Sequence, residues 1–136
     1  MPVRYLLDTN TASCVIKGNI PRVRERLLKV PMAEIGVSVI TEAELRFGVA
    51  RRPDVPHLKL AVDEFLLWLA ILAWDSRCAE NYAEIRADLE KQGKPMGNLD
   101  IMIAAQALAT EAVLVTHDRV FWSVKQLEVE DWRKPR

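Results

Sequence analysis

The sequence has 136 residues, half of them apolar and 28% charged, with nineteen basic residues against nineteen acidic ones. That length suits one domain spanning residues 1–136, which can bury roughly two-thirds of its unfolded surface without a metal or disulfide to help it fold. The composition excludes extended disorder, and the zero net charge excludes a protein that coats nucleic acid by bulk charge.

Val3-Arg4-Tyr5-Leu6-Leu7 reads as a short buried strand, stopped by the capping cluster Asp8-Thr9-Asn10-Thr11. A helix follows to about Lys17, ended by Gly18. Pro21 opens a second helix that runs to about Val30, and residues 35–39 form a second strand. Thr41 caps the next helix, carrying Glu42 to Arg51, with Glu44 completing a capping box. Pro53 and Pro56 break the chain, and His57 reads as a surface residue of that Pro-rich loop; a helix from about Pro56 to Leu69 and a third strand over residues 71–74 follow. Asp75-Ser76 caps a long helix that Gly93 ends; Asn98 caps another, from Leu99 to Glu111. A fourth strand covers residues 112–115, and an edge strand follows near Leu127-Glu128-Val129. Strands alternating with helices imply an α/β fold on a parallel sheet.

Charge is uneven along the chain. Residues 1–30 carry six basic and two acidic side chains, and residues 75–90 carry five acidic and two basic. The longest apolar run, Phe65 to Trp74, has ten residues, about half of a membrane span. No signal-peptide pattern opens the chain, so a cytoplasmic protein with no membrane association is expected. Cys14 and Cys78 lie far apart and read as reduced thiols.

Ligands of open parallel sheets bind beyond the carboxyl ends of the strands. Asp8 follows the first strand, Glu42 and Glu44 the second, and Thr116-His117-Asp118 the fourth. Taken singly, Asp8 reads as a helix cap, Asp118 as a turn residue and Glu44 as a capping or solvated residue. Asp100 is harder to dismiss, because its helix is apolar almost all round and a carboxylate entering a core needs compensation. Glu42 and Glu44 lie about 200° apart on a helix. Gly48, one turn past Glu44, reads as a point of close packing that turns Glu44 inward and Glu42 outward. Gathered carboxylates repel, by roughly 3 kcal/mol per pair at about 5 Å and an effective dielectric of about 20. A Mg²⁺ or Mn²⁺ ion reverses that sign, and such an ion suits phosphodiester hydrolysis.

An ordered set of motifs then matches a known family. Leu7-Asp8-Thr9-Asn10, Ser38-Val39-Ile40-Thr41 with Glu44-Leu45-Arg46-Phe47-Gly48, Gly97-Asn98-Leu99-Asp100, Val115-Thr116-His117-Asp118 and Glu130-Asp131-Trp132 resemble PIN-domain ribonucleases. Within them the chain is similar to the VapC toxins of type II toxin–antitoxin modules. The resemblance implies a PIN-like three-layer fold, a short parallel sheet between helices. It implies an endoribonuclease dependent on Mg²⁺ or Mn²⁺, cutting a tRNA or rRNA loop, with Asp8, Glu44, Asp100 and Asp118 as metal-site and catalytic acids. It also implies a cognate VapB-type antitoxin, a homodimer and a toxin–antitoxin hetero-oligomer. Asn10, Thr116, Arg46, Arg86 and Lys94 are the candidates for RNA contact, with Lys91 and Arg119 as further basic rim residues, and Phe65-Leu66-Leu67-Trp68 is a candidate interface or core segment. An acidic cleft of this kind is open to blockade by an arginine of the antitoxin, whose planar fork pairs with carboxylates.

Other readings fit less well. A haloacid-dehalogenase-type phosphatase needs a second aspartate where Asn10 stands, and a phosphoacceptor receiver needs an acidic pair near Asp8 and a late lysine. A PIN-like RNA- or protein-binding module without catalysis is the alternative outside enzymes, and the intact set of four acids speaks against it.

Overall fold

The computed structural model describes residues 2–135. Five strands, β1 (Tyr5–Leu7), β2 (Ile35–Ser38), β3 (Ala70–Leu72), β4 (Val113–Val115) and β5 (Val129–Glu130), form one sheet in the order β3-β2-β1-β4-β5. Every pairing is parallel. Six helices connect them: α1 (Thr9–Lys17), α2 (Pro21–Leu28), α3 (Val39–Ala50), α4 (Pro56–Trp68), α5 (Ser76–Gln92) and α6 (Asn98–Thr110).

The strand period of two divides the core between the two faces. Tyr5, Leu7, Val37 and Val115 pack with α1, α2 and α4, together with Leu45 of α3 and Trp132. Leu6 and Leu114 point the other way, against α5, α6 and Phe121. The result is the three-layer arrangement implied by the sequence. The chain leaves β1 toward β2 on one side, and β4 lies on the other, so the strand order reverses between β1 and β4. A crevice opens at such a reversal, beyond the carboxyl ends of the strands.

Gly18 and Gly93 end α1 and α5 in left-handed backbone, as their positions in the sequence imply. Three local expectations are corrected. Ser38, not Thr41, caps α3, accepting a hydrogen bond from the Ile40 N–H at 3.0 Å. The helix therefore starts three residues early, and no Thr41–Glu44 capping box forms. Gly97, not Asn98, is the residue before α6, and Asn98 lies inside the first turn. His57 sits exposed in the first turn of α4 rather than in a loop.

α4 buries Val62 and Leu66 but leaves Leu60, Leu67 and Trp68 exposed, so the apolar Phe65–Trp68 segment is partly core and partly surface. No helix among the described residues is long and apolar enough to cross a membrane.

Two glycines behave oppositely to a simple reading of their sequence positions. At Gly36, mid-sheet, a Cβ would stand 3.1 Å from the Ala70 carbonyl oxygen and 3.1 Å from Val3. At Gly48, in α3, a Cβ would meet nothing within 4 Å, so no close packing explains that glycine. Gly36→Ala should therefore lower unfolding stability by about 1–3 kcal/mol. Gly48→Ala should raise it by about 0.5–1 kcal/mol. Chemical denaturation of the two variants against the parent checks both signs.

Candidate active site

Asp8 is the first residue past β1, and its N–H donates to the Val115 carbonyl at 3.1 Å, extending the ladder to β4 by one step. Its side chain is only 3% exposed. Oδ1 accepts from the Thr11 N–H at 2.8 Å, which caps α1. Oδ2 accepts from the Thr116 hydroxyl at 2.5 Å. That hydroxyl in turn accepts the Asp118 N–H at 3.0 Å, and Asp118 Oδ1 accepts the Val120 N–H at 3.1 Å. One buried threonine thus ties together the carboxyl ends of β1 and β4.

Glu44 reaches the same end of the sheet from α3. Its Oε1 accepts from Thr9 Oγ1 at 2.6 Å, and Thr9 Oγ1 lies 3.1 Å from Thr41 Oγ1. Glu42 turns away and meets Arg46 at 3.4 Å. The helical rotation predicted between the two glutamates is observed, although Gly48 is not its cause.

Asp100 comes from the third direction, in the first turn of α6, whose following residues are almost all buried. It makes no side-chain hydrogen bond or ion pair with the described residues. Burial pushes its carboxyl up from the usual range to about 6, and the nearby charges of Asp118, Glu44 and Asp8 add to the effect. The four acids expected from the sequence therefore share one electrostatic field. They are not gathered into a cage: among the described residues no group of three or more His, Cys, Asp or Glu side chains is placed so that it could hold a metal ion.

The expected RNA contacts scatter. Asn10 and Lys94 are exposed. Arg86 is also exposed, donating to Tyr82 Oη at 3.0 Å and pairing with Glu90 at 3.5 Å. Arg46 is drawn toward α4, where its guanidinium meets Asp63 at 3.0 Å. Thr116 is 1% exposed, with its hydroxyl engaged both as donor and as acceptor. Its observed contacts are with the acids. Thr9 and Thr11 read in the sequence only as members of a capping cluster. Their sequence signal, hydroxyl residues directly after Asp8, is shared with any helix cap, and their partners lie up to 104 residues away. Both thiols are free, and burial pushes each above its usual range, so neither is a ready thiolate ligand.

The PIN domain family matches residues 5–127. The chain is 36% identical to the tRNA(fMet)-specific endonuclease VapC of Shigella flexneri, covering 96% of this chain and 98% of that one. Its fold superposes with a TM-score of 0.89 on a chain of DNA-bound VapBC from Salmonella typhimurium, at 32% identity and with 96% and 98% of the two chains covered. For VapBC2 of Rickettsia felis bound to a promoter DNA fragment the TM-score is 0.87, at 31% identity, covering 96% and 99%. The chain belongs to the PIN-domain family and, within it, to the VapC ribonucleases.

The raised carboxyl makes stability depend on pH. Asp100 titrates near 6 when folded and near the ordinary 3.8 when unfolded, so the native state binds more protons between those values. Relative to Asp100→Asn, metal-free parent protein should lose stability as pH rises from about 4 to about 6, by about 1–2 kcal/mol once solvent screening of this half-buried group is allowed for, while the lowered carboxyls of Asp63, Asp75, Asp88 and Asp131 act alike in both proteins. Asp100→Asn should remove that slope and be the more stable protein at pH 7. Urea denaturation in chelator across this pH range checks it.

Proposed function

We propose that this chain is a divalent-metal-dependent endoribonuclease that cuts a structured RNA loop and is restrained by a cognate VapB-type antitoxin. The observation that carries this reading is the set of carboxylates at the β1/β4 crevice, where burial first, and then the charges of Asp118, Glu44 and Asp8, push the Asp100 carboxyl up. The name of the Shigella relative, with its tRNA specificity, and the VapBC complexes among similar structures support it.

Asp8, Glu44, Asp100 and Asp118 would hold Mg²⁺ or Mn²⁺. The donors are all hard oxygens, and an open cleft suits an ion that keeps several of its waters. When bound, such an ion activates water and offsets charge developing on the phosphodiester. The chain's own part is positioning. Thr11 and Thr116 fix both oxygens of Asp8, Thr9 aims Glu44, and the Val120 N–H holds Asp118. Asp100, the least tethered, is ionised above about pH 6 and so is available to a cation at neutral pH.

Asn10 beside Asp8, Lys94 ahead of α6 and Arg86 on α5 are the proposed substrate contacts. The antitoxin would lay a basic side chain into the same cleft, making RNA and antitoxin mutually exclusive. The exposed Leu60, Leu67 and Trp68 of α4 support self-association into a homodimer and a toxin–antitoxin hetero-oligomer.

Cleavage of RNA by the purified chain should require Mg²⁺ or Mn²⁺, stop with chelator and survive alkylation of Cys14 and Cys78. Asp8→Asn, Glu44→Gln and Asp100→Asn should each lower it by about a hundredfold or more, and Glu42→Gln should leave it near the parent rate. Thr116→Val, which frees Asp8 to rotate, should cost about 10–100-fold. Loss of activity in Glu42→Gln with Glu44→Gln unaffected contradicts the site.

A further inference from the structure

The acidic cleft leaves the basic bias of residues 1–30 without a role. The structure gathers much of it on one side. Arg22, Arg26 and Lys29 lie one and two turns apart along α2 and therefore form a stripe. With Arg4 and Lys134 they line a depression of about 420 Å³ that Tyr5 and Trp132 also border. Arg26 and Lys134 continue into a second depression, bordered by Trp122. Trp122 and Lys134 continue into a third, of about 630 Å³, which reaches His117 and Arg119. Those two residues flank Asp118 in the chain. The three depressions share side chains and form one path from α2 to His117 and Arg119, the chain neighbours of Asp118.

Seven cations and four acids line this path, in a chain of zero net charge. Three of the cations are matched: Arg26 with Glu130 at 3.1 Å, Arg133 with Asp131 at 2.9 Å and Arg4 with Glu34 at 3.8 Å. Arg22, Lys29, Arg119 and Lys134 form no ion pair with the described residues. Trp122 is 54% exposed, while its neighbour Phe121 fills the core. Unpaired cations interleaved with an open indole match a single nucleic-acid strand, which offers a phosphate and a base face at each step.

We propose that this path from Asp118 through Arg119, Trp122 and Lys134 to Arg22 and Lys29 holds the RNA strand on one side of the phosphodiester to be cut. The proposal rests on the nuclease reading above and adds a residue-level route for the substrate. Phosphate contacts along it supply affinity without sequence preference, and Trp122 stacks one base.

The test uses full-length Asp100→Asn protein, which binds without turnover, and single-stranded RNAs of about 4 and about 12 nucleotides. Arg22→Glu with Lys134→Glu should weaken the longer RNA by more than tenfold and leave the shorter one within about twofold. The slope of log affinity against log salt should fall by about 1.4, since each cation on a single strand contributes about 0.7. Trp122→Ala should weaken the longer RNA about fivefold or more. The charge-matched control Arg52→Glu with Lys59→Glu, on exposed residues away from the path, should change neither. Circular dichroism confirms that each variant is folded. If the parent cuts RNA but the path variants keep full affinity and salt slope, the path is wrong and the nuclease reading stands. If they lose affinity for the cognate antitoxin and not for RNA, the face is a protein-docking site and the proposal is overturned. If neither RNA binds while the parent still cuts RNA, the path is wrong and the nuclease reading stands; if the parent cuts no RNA, both readings fall.

Discussion

Four carboxylates are held at one end of a three-residue strand, against their mutual repulsion. Asp8 and Asp118 follow adjacent parallel strands, Glu44 arrives on α3 and Asp100 on α6. The neighbours of each acid offset part of the cost. Asp8 gains a helix cap and a threonine, Glu44 a threonine and Asp118 a backbone N–H. Asp100 gains none of these, and burial, with the charges of Asp118, Glu44 and Asp8 added to it, pushes its carboxyl up to about 6. Of the six buried polar or charged side chains among the described residues, Asp8, Thr11, Ser38, Thr41 and Thr116 all lie at this end of the sheet. The sixth, Gln106 on α6, donates to the Leu72 and Ala73 carbonyls and leaves its Oε1 without a partner, so most, but not all, of the fold's polar cost gathers at this crevice.

That concentration explains how much the sequence disclosed. Strand ends followed by acids were legible because a short apolar run and a capping cluster have few other meanings. Asp8 taken singly reads as a cap, and the structure has it capping α1: Oδ1 accepts from the Thr11 N–H, and Oδ2 is bound to Thr116 at the carboxyl end of β4. Helical rotation alone set Glu44 and Glu42 on opposite faces; the choice of Glu44 rested on Gly48, which turns out to pack against nothing, and on the resemblance. The same rotation separates Arg46 from Glu44 and already placed that arginine away from the cleft, a signal present in the sequence but not used there.

Other features were not legible, for physical reasons. The roles of Thr9 and Thr116 depend on partners 35 and 108 residues distant, which only the folded sheet brings near. The capping error at α3 arose because Ser38 and Thr41 are both good caps, and tertiary contact decided between them. The Thr41 hydroxyl is taken up by Thr9, inside the first turn. The basic residues of α2 looked like a solvated helix face; their continuity with Lys134 and Arg119 required the chain's last segment to fold back across the sheet edge.

The central claim is that the acids act as one electrostatic unit available to a divalent cation. The most direct measurement is NMR titration of the Asp100 side-chain carboxyl, in chelator and in Mg²⁺. The account predicts a midpoint near 6 in chelator, a fall toward the ordinary range in Asp118→Asn protein, and a marked fall on adding Mg²⁺. An ordinary midpoint near 3.8 that neither the neighbouring substitution nor the cation moves would contradict it.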